Sequence, residues 1–162
     1  VAFGRFEARI RGASRWPGVC PAFWAWRRTE RHWTEIDFVE MQESVRQPDG
    51  LDFTTHVFPP TPGVPHEISN RTSKVVPFDP ADEFHTYAME WDPDRLVWFV
   101  DGKVVKTEAA SPFFSHSDWP LDIALSLGVR PPLSLSPTGK DFPASFHVQW
   151  VRVWQRKHKG NP

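Results

Sequence analysis

Apolar and polar residues alternate one by one along most of this chain, which is the period of a β-strand. Residues 5–11 set Phe6, Ala8 and Ile10 against Arg5, Glu7, Arg9 and Arg11. Successive side chains of a strand point to opposite faces, so such a segment has one apolar face to bury. Strand-like runs recur at residues 21–26, 33–42, 51–58, 84–91, 96–100, 121–127 and 146–155. Asp101-Gly102 is a two-residue hairpin signal leading into a strand at 104–106. No segment of helical length keeps a 3.6-residue apolar period. Seventeen Pro and nine Gly break the chain often, which suits short strands and turns. The pattern predicts an all-β sandwich of antiparallel sheets or a barrel. Six prolines within residues 59–80 predict a long loop carrying one short strand near 74–76, and residues 131–143 predict a second loop.

Composition narrows the function classes. Nineteen Lys and Arg balance twenty Asp and Glu, and no basic run interleaved with aromatics is present, so no nucleic-acid partner is expected. No apolar run is long enough to span a membrane, so no membrane partner is expected either. The single cysteine, Cys20, has no second cysteine to bond and no companions for a cysteine-based zinc site. Nine Trp and thirteen Phe stand beside one Tyr. That imbalance predicts a large aromatic core, a sugar-stacking groove, or both.

The chemistry is concentrated in residues 34–41, Thr-Glu-Ile-Asp-Phe-Val-Glu-Met. Glu35 and Asp37 share a strand face, whereas Glu40 has the opposite parity. One β-bulge at Phe38-Val39 would restore it, and bulges are frequent beside active sites. All three acids would then share a face, with Ile36 and one of the Phe38/Val39 pair pointing into the core. A row of like charges on one sheet face is unfavourable. A retaining glycosidase needs such a row, because its two carboxyl groups stand about 5–5.5 Å apart. Asp37 between them would help to separate their pKa values. A solvent-facing acidic strand is the alternative. Trp33 has the parity of Glu35, which adds an indole to the acid row. Trp24 and Trp26 share parity and can line the groove, one or both, with burial of both in the core as the alternative. Trp91, Trp98, Trp150 and Trp154 read as structural. The small, polar face Asp122, Ala124, Ser126, Gly128 suits a groove floor next to the acid-bearing strand or, equally, a solvent face. Arg27, Arg28, Arg31 and Arg130 are either ordinary surface arginines or bidentate sulfate binders at a cleft mouth.

Glu35-Ile36-Asp37-Phe38-Val39-Glu40 resembles the E-x-D-x-x-E signature of glycoside hydrolase family 16, in the bulged form seen in its agarases, porphyranases, carrageenases and laminarinases. The likeness extends along the chain. Phe3-Gly4-Arg5-Phe6-Glu7-Ala8-Arg9-Ile10 is similar to the strand that precedes the catalytic strand. Pro21-Ala22-Phe23-Trp24 resembles the family's P-A-x-W segment. Phe84-His85-Thr86-Tyr87-Ala88-Met89-Glu90-Trp91 and Trp98-Phe99-Val100-Asp101-Gly102 resemble its middle hairpin region, and residues 148–155 its closing strand.

The resemblance implies a β-jelly-roll of two antiparallel sheets and a retaining endo-hydrolase acting on β-linked polysaccharide outside the cell or in the periplasm. It implies Glu35 as nucleophile, Glu40 as acid/base and Asp37 as assistant. It also places His56 where agarases and carrageenases often set a histidine near the nucleophile, and His56 joins Trp24, Trp26, Trp33 and Arg130, read from the residues themselves, in the expected substrate-binding group. For His56 a merely hydrogen-bonded strand histidine is the alternative. The lean is towards marine galactans of agar, porphyran or carrageenan type. A laminarinase-like β-1,3-glucanase, a transglycosylase and a non-catalytic carbohydrate-binding protein remain alternatives. Residues 1–162 correspond to one catalytic domain, the C-terminal two-thirds of the family's. Its N-terminal strands are missing here, to be supplied by another segment or chain. No cofactor is expected, and these residues do not support the family's occasional structural calcium ion.

Overall fold

The structure, a computed structural model, describes residues 2–13, 19–41, 50–59, 68–116, 120–129 and 142–155. Among them there is no helix. Ten strands form: β1 (Gly4–Arg11), β2 (Val19–Arg28), β3 (Trp33–Glu40), β4 (Gly50–Phe58), β5 (Ile68–Val75), β6 (His85–Trp91), β7 (Arg95–Val100), β8 (Lys103–Ala109), β9 (Asp122–Val129) and β10 (His147–Trp154). They pair antiparallel into two five-stranded sheets, β10-β1-β6-β7-β8 and β5-β4-β3-β2-β9. The expected two-sheet sandwich is what the chain adopts.

Alternation decides which residues fill the space between the sheets. Phe6, Ala8 and Ile10 of β1 are buried, and so are Phe23 and Ala25 of β2, Ile36 of β3, Phe53 and Val57 of β4, and Met89 and Trp91 of β6. Aromatic rings dominate this core. Phe38 packs edge-on against Phe23, with centroids 4.6 Å apart, and lies 5.5 Å from Phe6. The Asp101-Gly102 turn has positive φ at both residues, 46° and 76°, as the tight hairpin between β7 and β8 requires.

Three expectations need correction. Residues 68–73, read as loop, and the start of the short strand expected near 74–76 together form one eight-residue strand, Ile68–Val75, at the edge of its sheet. Its sequence, ISNRTSKV, is mostly polar and exposed because an edge strand has little apolar face to bury. Both Phe38 and Val39 are fully buried, not one of them. Trp91 and Trp98 are core residues as expected, but Trp154 is 46% exposed. It lies on β10, an edge strand that also exposes Val148, Val151 and Val153. The edge strand β9 of the other sheet exposes Leu127 and Val129.

Candidate active site on the outer face of β3

The bulge in β3 is visible from both of its neighbours. Against β4, Glu35 faces His56 and Asp37 faces Thr54, but Glu40 faces Asp52, so one extra β3 residue is accommodated between Asp37 and Glu40. Against β2, Glu35 faces Trp26, Asp37 faces Trp24 and Glu40 faces Ala22. Directly paired residues point to the same side of a sheet. Trp26, Trp24 and Ala22 alternate on one face of β2, and His56, Thr54 and Asp52 on one face of β4. The three carboxylates therefore share the face of their sheet that is turned away from the other sheet.

On that face the acids are nonetheless buried. Glu35, Asp37 and Glu40 are 8%, 2% and 1% exposed. Low exposure on an outward face means that neighbouring side chains wall the acids in. The walls include an aromatic row. Trp24 and Trp26 stack with centroids 6.1 Å apart, Trp26 lies 5.3 Å from Trp33, Trp33 lies 6.2 Å from Phe58, and Phe58 stacks on His56 at 5.1 Å. Trp24, Trp26 and Trp33 are half-buried, each with part of its ring surface open. Both tryptophans of β2 thus line the recess.

Polar contacts fix the acids. The Trp33 indole Nε1 donates to Glu35 Oε2 at 3.1 Å. His56 Nε2 lies 3.4 Å from Asp37 Oδ2. Polar atoms of Glu35, Asp37 and His56 all lie within 4.8 Å of one another, near enough to share a proton or face a cation. Cys20 Sγ lies 3.8 Å from Glu40 Oε1, and Trp24 Nε1 donates to Ser126 Oγ at 3.1 Å. This set of buried acids, with a histidine at hand and half-open indoles around them, can hold a sugar ring by stacking and present carboxyl oxygens to it.

The structure thus brings Glu35, Asp37, Glu40, Trp24, Trp26, Trp33 and His56 to one recess. Arg130 lies outside the described residues, as does most of the loop expected at 131–143. The small face of β9 lies on the same side, but β2 separates it from β3, so it is not adjacent to the acids. Among the arginines, Arg28 alternates with Trp26 on β2 and pairs with Trp33. Residues that sequence reasoning missed join them. Asp52 is buried opposite Glu40, where Ser73 Oγ donates to it and Arg71 lies 3.7 Å away. Arg71 of β5 faces Thr54 of β4, which sets it on the outer face one strand beyond Asp37's neighbour. Asp52 was within reach of sequence reasoning, because it alternates with Thr54 and His56. Arg71 was not, because its strand was read as loop.

Comparisons with known proteins bear on the family and the fold. A curated kappa-carrageenase of Pseudoalteromonas carrageenovora is 31% identical over 98% of this chain and 45% of its own length. A beta-glucanase of Rhodothermus marinus is 26% identical over 94% of this chain and 57% of its own. The chain thus spans about half the length of these curated relatives. A crystal structure of the kappa-carrageenase from Pseudoalteromonas carrageenovora, in complex with an oligotetrasaccharide of kappa-carrageenan, superposes with a TM-score of 0.76 at 28% identity. The match covers 94% of this chain and 64% of that one. A sequence model of the family described as Glycosyl hydrolases family 16 matches residues 1–127. With a sandwich of the same build and a family match over most of its length, this chain belongs to glycosyl hydrolases family 16.

Proposed function

We propose that this chain carries the catalytic face of a retaining endo-glycoside hydrolase that cleaves β-linked polysaccharide, a sulfated or related marine galactan of agar, porphyran or carrageenan type. The observation that carries the reading is the one-residue bulge in β3, which sets Glu35, Asp37 and Glu40 on one recessed face. In the first step a carboxylate oxygen of Glu35 bonds to the anomeric carbon as the glycosidic C–O bond breaks. Glu40 gives its proton to the departing oxygen. In the second step water attacks that carbon, Glu40 takes the water's proton, and the bond to Glu35 breaks. Two inversions leave the configuration unchanged. The indole of Trp33 holds Glu35 in place, and Asp37, backed by His56, lies between the two glutamates.

The galactan reading is supported by the identity to the kappa-carrageenase relative and by Arg71, a cation on the outer face suited to an anionic sugar. Exposed apolar residues on β9 and β10 give further strands a surface to cover, which supports reading residues 1–162 as the C-terminal two-thirds of the family's domain. A polymeric substrate supports action outside the cell or in the periplasm.

The test is reducing-end release from kappa-carrageenan, agarose, porphyran and laminarin, with Glu35→Gln as the control. Release from a galactan, with the β anomer appearing first by NMR, is the expected result. Cleavage of laminarin alone would establish the β-1,3-glucanase reading. Binding without cleavage by the wild type would leave a carbohydrate-binding protein.

His56 offers a smaller effect. His56→Ala removes the imidazole whose Nε2 lies 3.4 Å from the Asp37 carboxylate. The expected loss in kcat is roughly 10- to 100-fold, with thermal stability near that of the wild type. Steady-state kinetics beside a melting curve check both.

A further inference from the structure

We propose that Trp98 and Lys106, two core residues of the opposite sheet, are positioning residues that brace the β3 bulge and through it the Glu35–Glu40 pair. The inference rests on the double-displacement reading of that pair.

A bulge interrupts the ladder of its strand. Here the interruption is buried on the inner side, where backbone carbonyls need donors and water does not reach them. The opposite sheet supplies two donors at that place. The Trp98 indole Nε1 of β7 donates to the Asp37 carbonyl at 2.8 Å, the last β3 residue before the register shifts. Lys106 Nζ of β8 donates to the Phe53 carbonyl at 3.2 Å. Phe53 lies between Thr54 and Asp52, the partners of Asp37 and Glu40, so it faces the bulged Phe38-Val39 pair. The two donors thus grip the bulge from both strands.

Trp98 and Lys106 are themselves one unit. They are cross-strand partners, and the ammonium lies 4.4 Å from the centre of the Trp98 ring. Both are buried. The ammonium of Lys106 donates to Phe53 O and to Asn70 O of β5 (2.6 Å), and it forms an ion pair with Glu108 Oε2 at 2.9 Å. Glu108 Oε1 in turn accepts from Thr55 Oγ1 at 2.7 Å, and Thr55 pairs with Ile36. Burial lowers the Lys106 pKa, while Glu108 and then Asp37 act to raise it. The ammonium and the Asp37 carboxylate therefore attract each other through the sheet. A buried lysine that holds the carbonyl facing the bulge and ties it to the edge strand, with a carboxylate of the acid row in its field, does more there than an apolar residue filling the same space.

Three variants separate positioning from packing. Trp98→Phe keeps an aromatic ring and loses the N–H. Lys106→Met keeps the stem and loses the ammonium. Trp91→Phe is the control, because the Trp91 indole also donates a buried bond at 2.6 Å, but to the carbonyl of Phe114, which lies on neither β3 nor β4. All three should lose stability. Only Trp98→Phe and Lys106→Met should lose kcat, by about 10- to 100-fold with KM within about twofold, the scale of a small misplacement of reacting groups. Crystal structures of these two should show a changed Asp37–Glu40 register or a changed distance between the Glu35 and Glu40 carboxyls. Unchanged bulge geometry, together with kcat losses no greater than that of Trp91→Phe, would overturn the brace. Absence of hydrolysis by the wild type on every polysaccharide would instead defeat the hydrolase reading, and the crystal structures would still decide the brace.

Discussion

Glu35→Gln is expected to lower kcat by about 10⁴-fold or more, the scale on which a hydrolase responds to loss of its covalent nucleophile, while polysaccharide binding survives. The substitution is nearly isosteric. The introduced amide keeps an oxygen that can accept from Trp33 Nε1, the bond made by Glu35 at 3.1 Å, so the recess keeps its shape and only the negative charge is lost. Without that charge no glycosyl-enzyme bond forms. Glu40→Gln should be comparably slow on polysaccharide, but its defect is in proton transfer, so an activated aryl leaving group should recover its first step. Azide distinguishes the two glutamates by stereochemistry. With Glu35→Gly and a β-linked donor, azide enters the vacated side and yields the α-azide. With Glu40→Ala, azide attacks the glycosyl-enzyme in place of activated water and yields the β-azide. Exchange of the two products between the variants would exchange the roles. A Glu35→Gln protein that cleaves at the wild-type rate would end the double-displacement reading altogether.

The geometry behind this expectation was legible in the sequence because it is a matter of parity. Three acids at 35, 37 and 40 cannot share a face of a regular strand, and one extra residue suffices to make them do so. The same arithmetic paired Trp24 with Trp26 and Trp33 with Glu35. What parity does not contain is which strand lies beside which. That β9 joins β2 and β10 joins β1 is set by contacts between residues far apart in the chain, and no local pattern records it. β5 escaped notice for a related reason. An edge strand with polar residues on both faces has no apolar alternation, and the prolines nearby read as loop. Lys106 and Glu108 were hidden by the rule that charges lie outside. Lys106 is buried and Glu108 partly so because each meets a partner across the sandwich, and partners so distant in sequence become visible only once the sheets are folded. Trp154 failed in the opposite direction, since an alternating strand reads as half-buried whether or not something covers it.

Phe38→Ala tests the other side of the bulge and should be among the most destabilising single changes in the chain. Phe38 is fully buried and holds two aromatic contacts, with Phe23 from its own sheet and Phe6 from the other. Truncating a core phenylalanine costs about 3–5 kcal/mol, made up of lost transfer energy and the cavity left behind, and each aromatic pair adds roughly 0.5–1.5 kcal/mol beyond buried area. Against a domain stability of about 5–15 kcal/mol this is a large fraction. For a chain of this length it corresponds to a fall of roughly 6–20 °C in Tm. The position makes the consequence more than a loss of stability. Phe38 is one of the two bulge residues, and its ring lodged between Phe6 and Phe23 is what pins that extra residue inward. With the ring gone the strand is freer to slip back towards regular alternation, which would turn Glu40 away from Glu35. Phe38→Ala should therefore lose kcat even at temperatures where it is folded, whereas Val104→Ala, at a site 59% exposed, should change neither quantity. Calorimetry and steady-state kinetics on the two variants read both. A Phe38→Ala protein that melts within a degree or two of Val104→Ala would mean that the ring does not anchor the bulge in the core.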